Sequence, residues 1–232
     1  MDKVVAYAGT RNLYEQMYVC LKSLLINNPV DKVYLLIEDD EFPYDIPNNV
    51  IPFNISEQEY FPMGSPNYEN PWSYMTLIRC AFGKMFPDEH RILWLDCDTI
   101  VDDNIMDLFD IDMDGFFYAG VMEPMKSKGI FTYINAGVLL CNLDLLRITN
   151  KEMELIAFLN GYKFAYPDQD VINMLCQGRI RIIGSEYNTN DYTLSCTRPK
   201  IYHFAAVKNF KYSWAYKKYH DAQLFTEEKA DE

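Results

Sequence analysis

Short, nearly uninterrupted apolar segments that alternate with helix-like segments constrain the fold of this chain most strongly. Residues 3–8 and 32–37 are two such apolar segments, and between them, from 13 to 25, apolar residues recur at helical spacing. Strands that are buried on both faces are apolar along their whole length, and two of them joined by a helix pair in parallel. The sequence therefore predicts an α/β protein with a mostly parallel sheet flanked by helices.

The remainder of the chain continues this alternation. At about 150 residues per domain, a length of 232 residues favours one large domain over two. Residues 60–72 form a loop rich in proline and aromatic residues, for which a functional role and a plain surface connection are equally good interpretations. Further strands are predicted at residues 50–55, 91–95, 116–121, 133–143, 179–183 and 200–204, and helices at 73–85, 105–109, 150–159 and 168–176.

Composition excludes several classes of protein. With 21 Lys and Arg against 34 Asp and Glu, the net charge of −13 argues against a nucleic-acid partner. No segment approaches the ~20 apolar residues of a membrane span, and the first residues lack the apolar core of a secretory signal. The six cysteines are scattered without a C-x-x-C pair, as buried thiols of a reducing compartment would be. We therefore expect a cytoplasmic protein.

Two carboxylates follow the clearest predicted strand, 91–95. Asp96 and Asp98 are two positions apart, and in extended backbone such residues point to the same side while Cys97 faces the packing. A divalent cation would remove their repulsion and leave positions open for phosphate oxygens. We favour this D-x-D metal site over two solvated acids that end a strand. His203 is the proposed third ligand, and its nitrogen favours Mn²⁺ over Mg²⁺.

Together with four other segments, this motif makes the chain resemble glycosyltransferase family 8, a retaining family with glycogenin-like and bacterial lipopolysaccharide galactosyltransferase-like members. The five pieces occur in the family's order and extend over most of the chain, as far as residue 208. They are Tyr7-Ala8-Gly9-Thr10-Arg11-Asn12-Leu13-Tyr14, Arg79, Leu95-Asp96-Cys97-Asp98-Thr99, Tyr133-Ile134-Asn135-Ala136-Gly137-Val138-Leu139-Leu140 and Asp168-Gln169-Asp170-Val171-Ile172-Asn173.

The resemblance implies a GT-A fold, a single Rossmann-like domain that binds a UDP-sugar with Mn²⁺ between the D-x-D motif and the diphosphate. The nucleotide would lie along the first strand and the loop after it, close to the D-x-D motif. The residues implied there are Ala8, Thr10, Asn12, Tyr14 and Cys97.

Three other pieces would surround the donor sugar, and each has a plainer structural interpretation. Arg79 would reach the diphosphate or the sugar, rather than form a surface ion pair. Asn135, with the small residues Ala136 and Gly137, would permit close approach of the sugar, rather than mark a glycine bulge. Asp168 and Gln169 would face the anomeric carbon, rather than cap a helix. Of these residues, Arg79, Asp168 and Gln169 would be catalytic.

The chain departs from the family pattern in two places. Gly9 and a single Thr10 stand where the family has an aspartate or two close threonines. At the C-terminal signature, Ala206 replaces a glycine and Lys208 comes one position early, so Lys211 competes with Lys208 as the diphosphate ligand. These departures leave the individual contacts to the nucleotide open.

The resemblance implies transfer of a hexose, glucose or galactose, from UDP to a carbohydrate, lipid-linked or protein-linked acceptor. Residues 1–100 would mainly bind the nucleotide, 101–207 the sugar and acceptor, and 208–232 would form a tail. The aromatic and basic tail permits weak peripheral contact with an anionic membrane, although a packed helix is the better interpretation. Two alternatives are a phosphatase of the haloacid dehalogenase type that uses Asp96 and Asp98, and a non-catalytic protein that binds a nucleotide sugar.

Overall fold

A mixed seven-stranded sheet forms the centre of the protein. The computed structural model describes residues 1–128, 131–205, 207 and 209–224. The large sheet has the strand order β3-β2-β1-β4-β7-β6-β8, and β5 and β9 form a separate two-stranded sheet. The strands are β1 (Val4–Ala8), β2 (Lys32–Ile37), β3 (Val50–Asn54), β4 (Arg91–Leu95), β5 (Thr99–Val101), β6 (Tyr118–Met122), β7 (Ile134–Asn142), β8 (Ile180–Ile183) and β9 (Ile201–His203).

Strand directions place a crevice at one edge of the large sheet. β1 runs parallel to β2 and β4, β3 runs parallel to β2, and β8 runs parallel to β6. Within the large sheet, as far as the structure describes it, β7 alone is antiparallel to its neighbours, β4 and β6. The strand order reverses between β1 and β4, and open α/β sheets bind ligands beyond the carboxyl ends of the strands at such a point.

Helices cover both faces of the sheet. Along β1, Val5 and Tyr7 join the core cluster that contains residues of α1 and α6, while Val4 and Ala6 join the cluster that contains residues of α4 and α5. No helix of the described residues is long and apolar enough to cross a membrane. The helices are α1 (Tyr14–Asn27), α2 (Phe82–Met85), α3 (Leu143–Ile148), α4 (Lys151–Gly161), α5 (Pro167–Leu175) and α6 (Trp214–His220).

This architecture confirms the predicted α/β sheet, with three corrections to its elements. The helix predicted over 73–85 is two 3-10 turns, Tyr74–Thr76 and Ile78–Ala81, followed by the short α2. The Leu77 N–H donates to the Tyr74 carbonyl and the Cys80 N–H to the Leu77 carbonyl, both at 2.9 Å, and these bonds over three residues make the segment 3-10 rather than α-helical. The sequence analysis also missed β5 and α3.

Candidate active site

The two carboxylates of the D-x-D motif converge, but the predicted reason was wrong. Asp96 and Asp98 lie in a turn rather than in extended backbone, because the Thr99 N–H donates to the Asp96 carbonyl at 3.1 Å. Neighbouring strands fix this turn: the Asp96 N–H donates to the Gly137 carbonyl, and the Phe204 N–H donates to the Asp98 carbonyl, both at 2.9 Å. The turn therefore stands at the crevice between β1 and β4.

His203 completes a group of three potential metal ligands. One atom each of Asp96, Asp98 and His203 lies within 4.8 Å of the others. Pairing of β9 with β5 brings Nε2 of His203 to 3.2 Å from Oδ1 of Asp98 and 3.8 Å from Oδ2 of Asp96. In the part of the chain that the structure describes, the buried Oδ1 atom of Asp98 accepts no hydrogen bond. Two carboxylates and an imidazole around an oxygen without a donor fit a divalent cation such as Mn²⁺.

The charges of this group act on one another. Burial disfavours the imidazolium form of His203, but the Asp98 and Asp96 carboxylates outweigh burial and raise its pKa. Burial of Asp98 acts to raise its pKa, yet the neighbouring His203 lowers it overall. The site therefore stabilises positive charge between the carboxylates, whether a proton or a metal ion carries it.

Gly137 provides the space that His203 occupies. A Cβ atom at residue 137 would overlap Cε1 of the His203 ring and crowd both ring nitrogens. The prediction that Gly137 allows close approach of a donor sugar remains a prediction, because in the structure the close neighbour of this glycine is the imidazole. The glycine is thus required by the observed position of the His203 ring.

Arg79 is a buried connection between Asp96 and Asp168 rather than a surface residue. The side chain is 1% exposed, with Nη2 2.7 Å from Oδ1 of Asp96 and Nε 3.3 Å from Oδ2 of Asp168. Its guanidinium lies 4.0 Å from the ring centroid of Trp94, whose Nε1–H also donates to Oδ1 of Asp96 at 2.7 Å. Arg79 and Trp94 thus occupy one oxygen of Asp96 and leave Oδ2 for an ion. Contact of Arg79 with a diphosphate stays a prediction.

Asp168 and Gln169 lie in the first turn of α5, which begins at Pro167 and not at the aspartate. Burial, with a smaller contribution from Asp96, raises the pKa of Asp168, and the charge of Arg79 opposes this shift. The Gln169 side chain accepts from the Ala136 N–H at 2.8 Å and donates to Oε1 of Glu123 at 3.2 Å. Asp168 therefore offers its carboxylate to the site, while both ends of the Gln169 amide are engaged by the protein.

One cavity of about 490 Å³ collects most of the predicted residues. Its mouth carries three exposed aromatic residues that sequence analysis did not assign, Trp72, Tyr166 and Tyr192. Trp72 stacks on Tyr166 with 5.5 Å between the ring centroids. It belongs to the loop 60–72, for which the sequence left both a functional role and a plain surface connection as interpretations. The predicted residues that line this cavity are Arg79, Asp96, Asp98, Asn135, Ala136, Gly137, Asp168, Gln169 and His203.

The predicted nucleotide residues do not line this cavity. Tyr14 donates to Oδ2 of Asp39 at 2.9 Å, and together with Asn12 it lines a neighbouring cavity of about 630 Å³. Thr10 donates to Oδ1 of Asn12 at 2.5 Å on the surface. The thiol of buried Cys97 donates to the carbonyl of Ala8 at 3.1 Å, so its side chain faces β1.

The two lysine candidates for the diphosphate have different outcomes. Lys208 lies outside the described residues. Lys211 lines the cavity that contains Asp96 and Asp98, and it forms an ion pair with Glu15, which lines the neighbouring cavity. Of the two, Lys211 is the lysine that the described structure brings to the site.

Comparison with known proteins assigns this chain to a family. The profile of Glycosyl transferase family 8 matches residues 4–211, so the chain belongs to glycosyltransferase family 8, as predicted. This membership sets aside the alternative of a haloacid dehalogenase-type phosphatase.

Individual relatives agree with the family. The chain is 32% identical over 134 residues to the lipopolysaccharide 1,2-glucosyltransferase of Escherichia coli K12, covering 51% of this chain and 39% of that enzyme. The fold superimposes on the glycosyltransferase GlyE of Streptococcus pneumoniae TIGR4 with a TM-score of 0.71 and 21% identity, covering 96% of this chain and 61% of that one. The galactosyltransferase LgtC, solved with donor and acceptor sugar analogues, gives a TM-score of 0.67 at 19% identity, covering 97% and 98% of the two chains. These superpositions confirm the GT-A fold. The chain spans less than half the length of the curated relatives that it matches.

Proposed function

We propose that the protein is a metal-dependent, retaining hexosyltransferase that uses a UDP-sugar. The observation that carries the proposal is the group of Asp96, Asp98 and His203, which stands in a large cavity at the switch point of a family 8 fold. A bound divalent cation, Mn²⁺ or Mg²⁺, would neutralise negative charge on the diphosphate as it leaves the sugar. Residues 1–100 would mainly serve the nucleotide and 101–207 the sugar and acceptor, in one domain.

The chain's own residues supply orientation and further charge. Arg79 and Trp94 hold one oxygen of Asp96, which presents the other oxygen to the ion. Lys211, which lines the cavity, would add positive charge toward the leaving diphosphate, and such prearranged charge is the usual source of a large rate effect. The Asp168 carboxylate, paired with Arg79, would stabilise positive charge that develops on the sugar.

The mouth of the cavity is the proposed acceptor side. Large apolar side chains that gather at the rim of one cavity mark a ligand site, and the rings of tryptophan and tyrosine offer both an apolar face and a polar group. Trp72 and Tyr166 stack there, and Lys126 bridges Tyr166, 3.8 Å from its ring centroid, to Glu123 at 3.0 Å. We assign a carbohydrate acceptor, free or linked to lipid or protein. The names of bacterial relatives that act on lipopolysaccharide support glucose or galactose as the transferred sugar.

Release of UDP tests this function. The purified protein is incubated with UDP-glucose, UDP-galactose and their N-acetylhexosamine counterparts, each with Mn²⁺, Mg²⁺ or EDTA. We expect slow hydrolysis of one hexose donor that requires metal and is lost in Asp98→Asn. This variant is suited to the test because Oδ1 of Asp98 has no hydrogen-bond donor to lose among the described residues.

Other outcomes separate the alternatives. Binding of UDP without release from any donor, with and without a panel of saccharides, would indicate a non-catalytic nucleotide-sugar protein. Release that is equally fast in EDTA would contradict the metal-dependent mechanism.

A further inference from the structure

Hydrogen bonds join His203 to the sugar-facing side of the cavity through one buried amide, Asn188. This residue follows the 3-10 turn Ser185–Tyr187 and is 0% exposed. Its Oδ1 lies 2.9 Å from Nδ1 of His203, and its Nδ2 donates to Oδ1 of Asn135 at 2.9 Å. Nothing in the sequence pattern marks this asparagine, and it does not line the cavity.

The donor and acceptor in each of these hydrogen bonds are fixed by a backbone N–H group, which can only donate, and by a carboxylate, which can only accept. The Gly137 backbone N–H donates to Oδ1 of Asn135 at 3.0 Å, and Nδ2 of Asn135 donates to a Glu123 carboxylate oxygen at 2.7 Å. Oδ1 of Asn135 also accepts from Nδ2 of Asn188, so the oxygen of Asn188 faces His203. An amide oxygen only accepts, so this contact favours a proton on Nδ1 of a neutral His203 ring, whereas the carboxylates of Asp98 and Asp96 face Nε2. A cation bound between those carboxylates would take the lone pair of Nε2 and leave the proton on Nδ1.

Asn190 supports the same assignment. Its Oδ1 accepts from the backbone N–H groups of Tyr192 and Thr193 at 2.8 and 3.1 Å, so its Nδ2 points inward and donates to Oδ1 of Asn188 at 2.8 Å. The same Nδ2 is 3.4 Å from Nδ1 of His203, a longer contact than the 2.9 Å between Nδ1 and Asn188. The shorter contact is a hydrogen bond only if Nδ1 donates.

We propose that Asn188 is a positioning residue that fixes the tautomer and the ring orientation of His203 for metal binding. This inference rests on the proposed function, because it assumes the metal site. With its proton on Nδ1, His203 directs the lone pair of Nε2 toward the carboxylates of Asp98 and Asp96, where a cation would lie. Partners of this kind orient a metal-binding histidine and increase its basicity.

Titration of Mn²⁺ alone into the protein by calorimetry tests the role of Asn188. In Asn188→Leu, which is similar in size but accepts no hydrogen bond, we expect Mn²⁺ to bind about 10–100-fold more weakly. Asn188→Asp still accepts from Nδ1, and we expect it to bind Mn²⁺ at least about tenfold more tightly than Asn188→Leu. The matched control is Asn28→Leu, which removes another buried asparagine, one whose Oδ1 accepts from the Ile105 N–H at 2.7 Å.

A second readout does not depend on metal. Nitrogen-15 NMR of the metal-free protein, recorded at a pH at which His203 is neutral, should show a larger share of the tautomer protonated on Nδ1 in the wild type and in Asn188→Asp than in Asn188→Leu. Wild-type Mn²⁺ affinity in Asn188→Leu, equal losses in Asn28→Leu, or an unchanged share of the Nδ1 tautomer in Asn188→Leu would each overturn the inference. A wild-type protein that binds no Mn²⁺ would instead contradict the proposed function, and the role of Asn188 with it.

Discussion

The metal end and the mouth of the cavity are built in different ways. At the metal end, His203, Arg79 and Asn188 are buried, and their polar groups bond to several strands and turns. At the mouth, Trp72 and Tyr166 come from connecting segments and are 44% and 43% exposed. The difference indicates that the proposed donor side is preorganised for one chemistry, whereas the proposed acceptor side is a surface that loops can vary. Three substitutions break or sharpen this comparison.

Removal of Arg79 is expected to have the largest effect. Arg79→Met leaves the carboxylates of Asp96 and Asp168 beside each other without a counter-charge, and breaking a buried ion pair costs about 3–5 kcal/mol of unfolding free energy. Urea denaturation measures the loss. Arg11→Met is the control, because Arg11 pairs with Asp39 at the surface and should leave the unfolding free energy unchanged. Equal stability of the two variants would refute the view that Arg79 ties the site together.

Gly137→Ala should affect the metal site next most strongly. The added methyl group forces the His203 ring out of its place, so we expect Mn²⁺ affinity to fall by about 100-fold or more. Calorimetric titration of Mn²⁺ gives the affinity. Gly161→Ala is the matched control, because no atom lies within 4 Å of the added Cβ. Wild-type affinity in Gly137→Ala would show that His203 is not a ligand.

Trp72→Ala should have the smallest effect and a different signature. Loss of an aromatic contact should raise the KM for a saccharide acceptor by about tenfold. Metal-dependent release of UDP without an acceptor should stay at the wild-type rate, because Trp72 lies at the mouth of the cavity, where it stacks on Tyr166. Trp214→Ala, which removes an exposed tryptophan outside the cavity, is the control. A loss of acceptor-free UDP release in Trp72→Ala would place this residue on the donor side instead.

The same contrast explains what could be predicted from sequence. The strands were predicted well because burial on both faces leaves continuous apolar segments. Asp96 and Asp98 stood out because two carboxylates directly follow the clearest of these strands, and His203 because an imidazole would complete their ligand set. Residue pairs distant in sequence carried no such signal. Asn188 and Glu123 both contact Asn135, and these contacts form only when β7, β6 and the turn before β9 meet in the fold. One of the two interpretations of Arg79 placed it on the surface of a helix, but its side chain is buried.

Local geometry also escaped the sequence patterns. Extended backbone and a turn both bring Asp96 and Asp98 together, so a correct convergence followed from a wrong conformation. In the segment predicted as a helix over 73–85, the N–H groups of Leu77 and Cys80 donate to carbonyls three residues earlier, so 3-10 turns form where the apolar spacing predicted a regular helix. Short-range hydrogen bonds decided both cases, and periodicity does not record them.

The affinity for UDP with and without Mn²⁺ tests the central claim most directly. Calorimetric titration of UDP into the wild-type protein should show binding at least about tenfold tighter in Mn²⁺ than in EDTA, since the ion links the carboxylates to the diphosphate. In Asp98→Asn the two affinities should be nearly equal. Equal affinities in the wild type would contradict the assignment of Asp96, Asp98 and His203 as the metal site through which this cavity holds its donor.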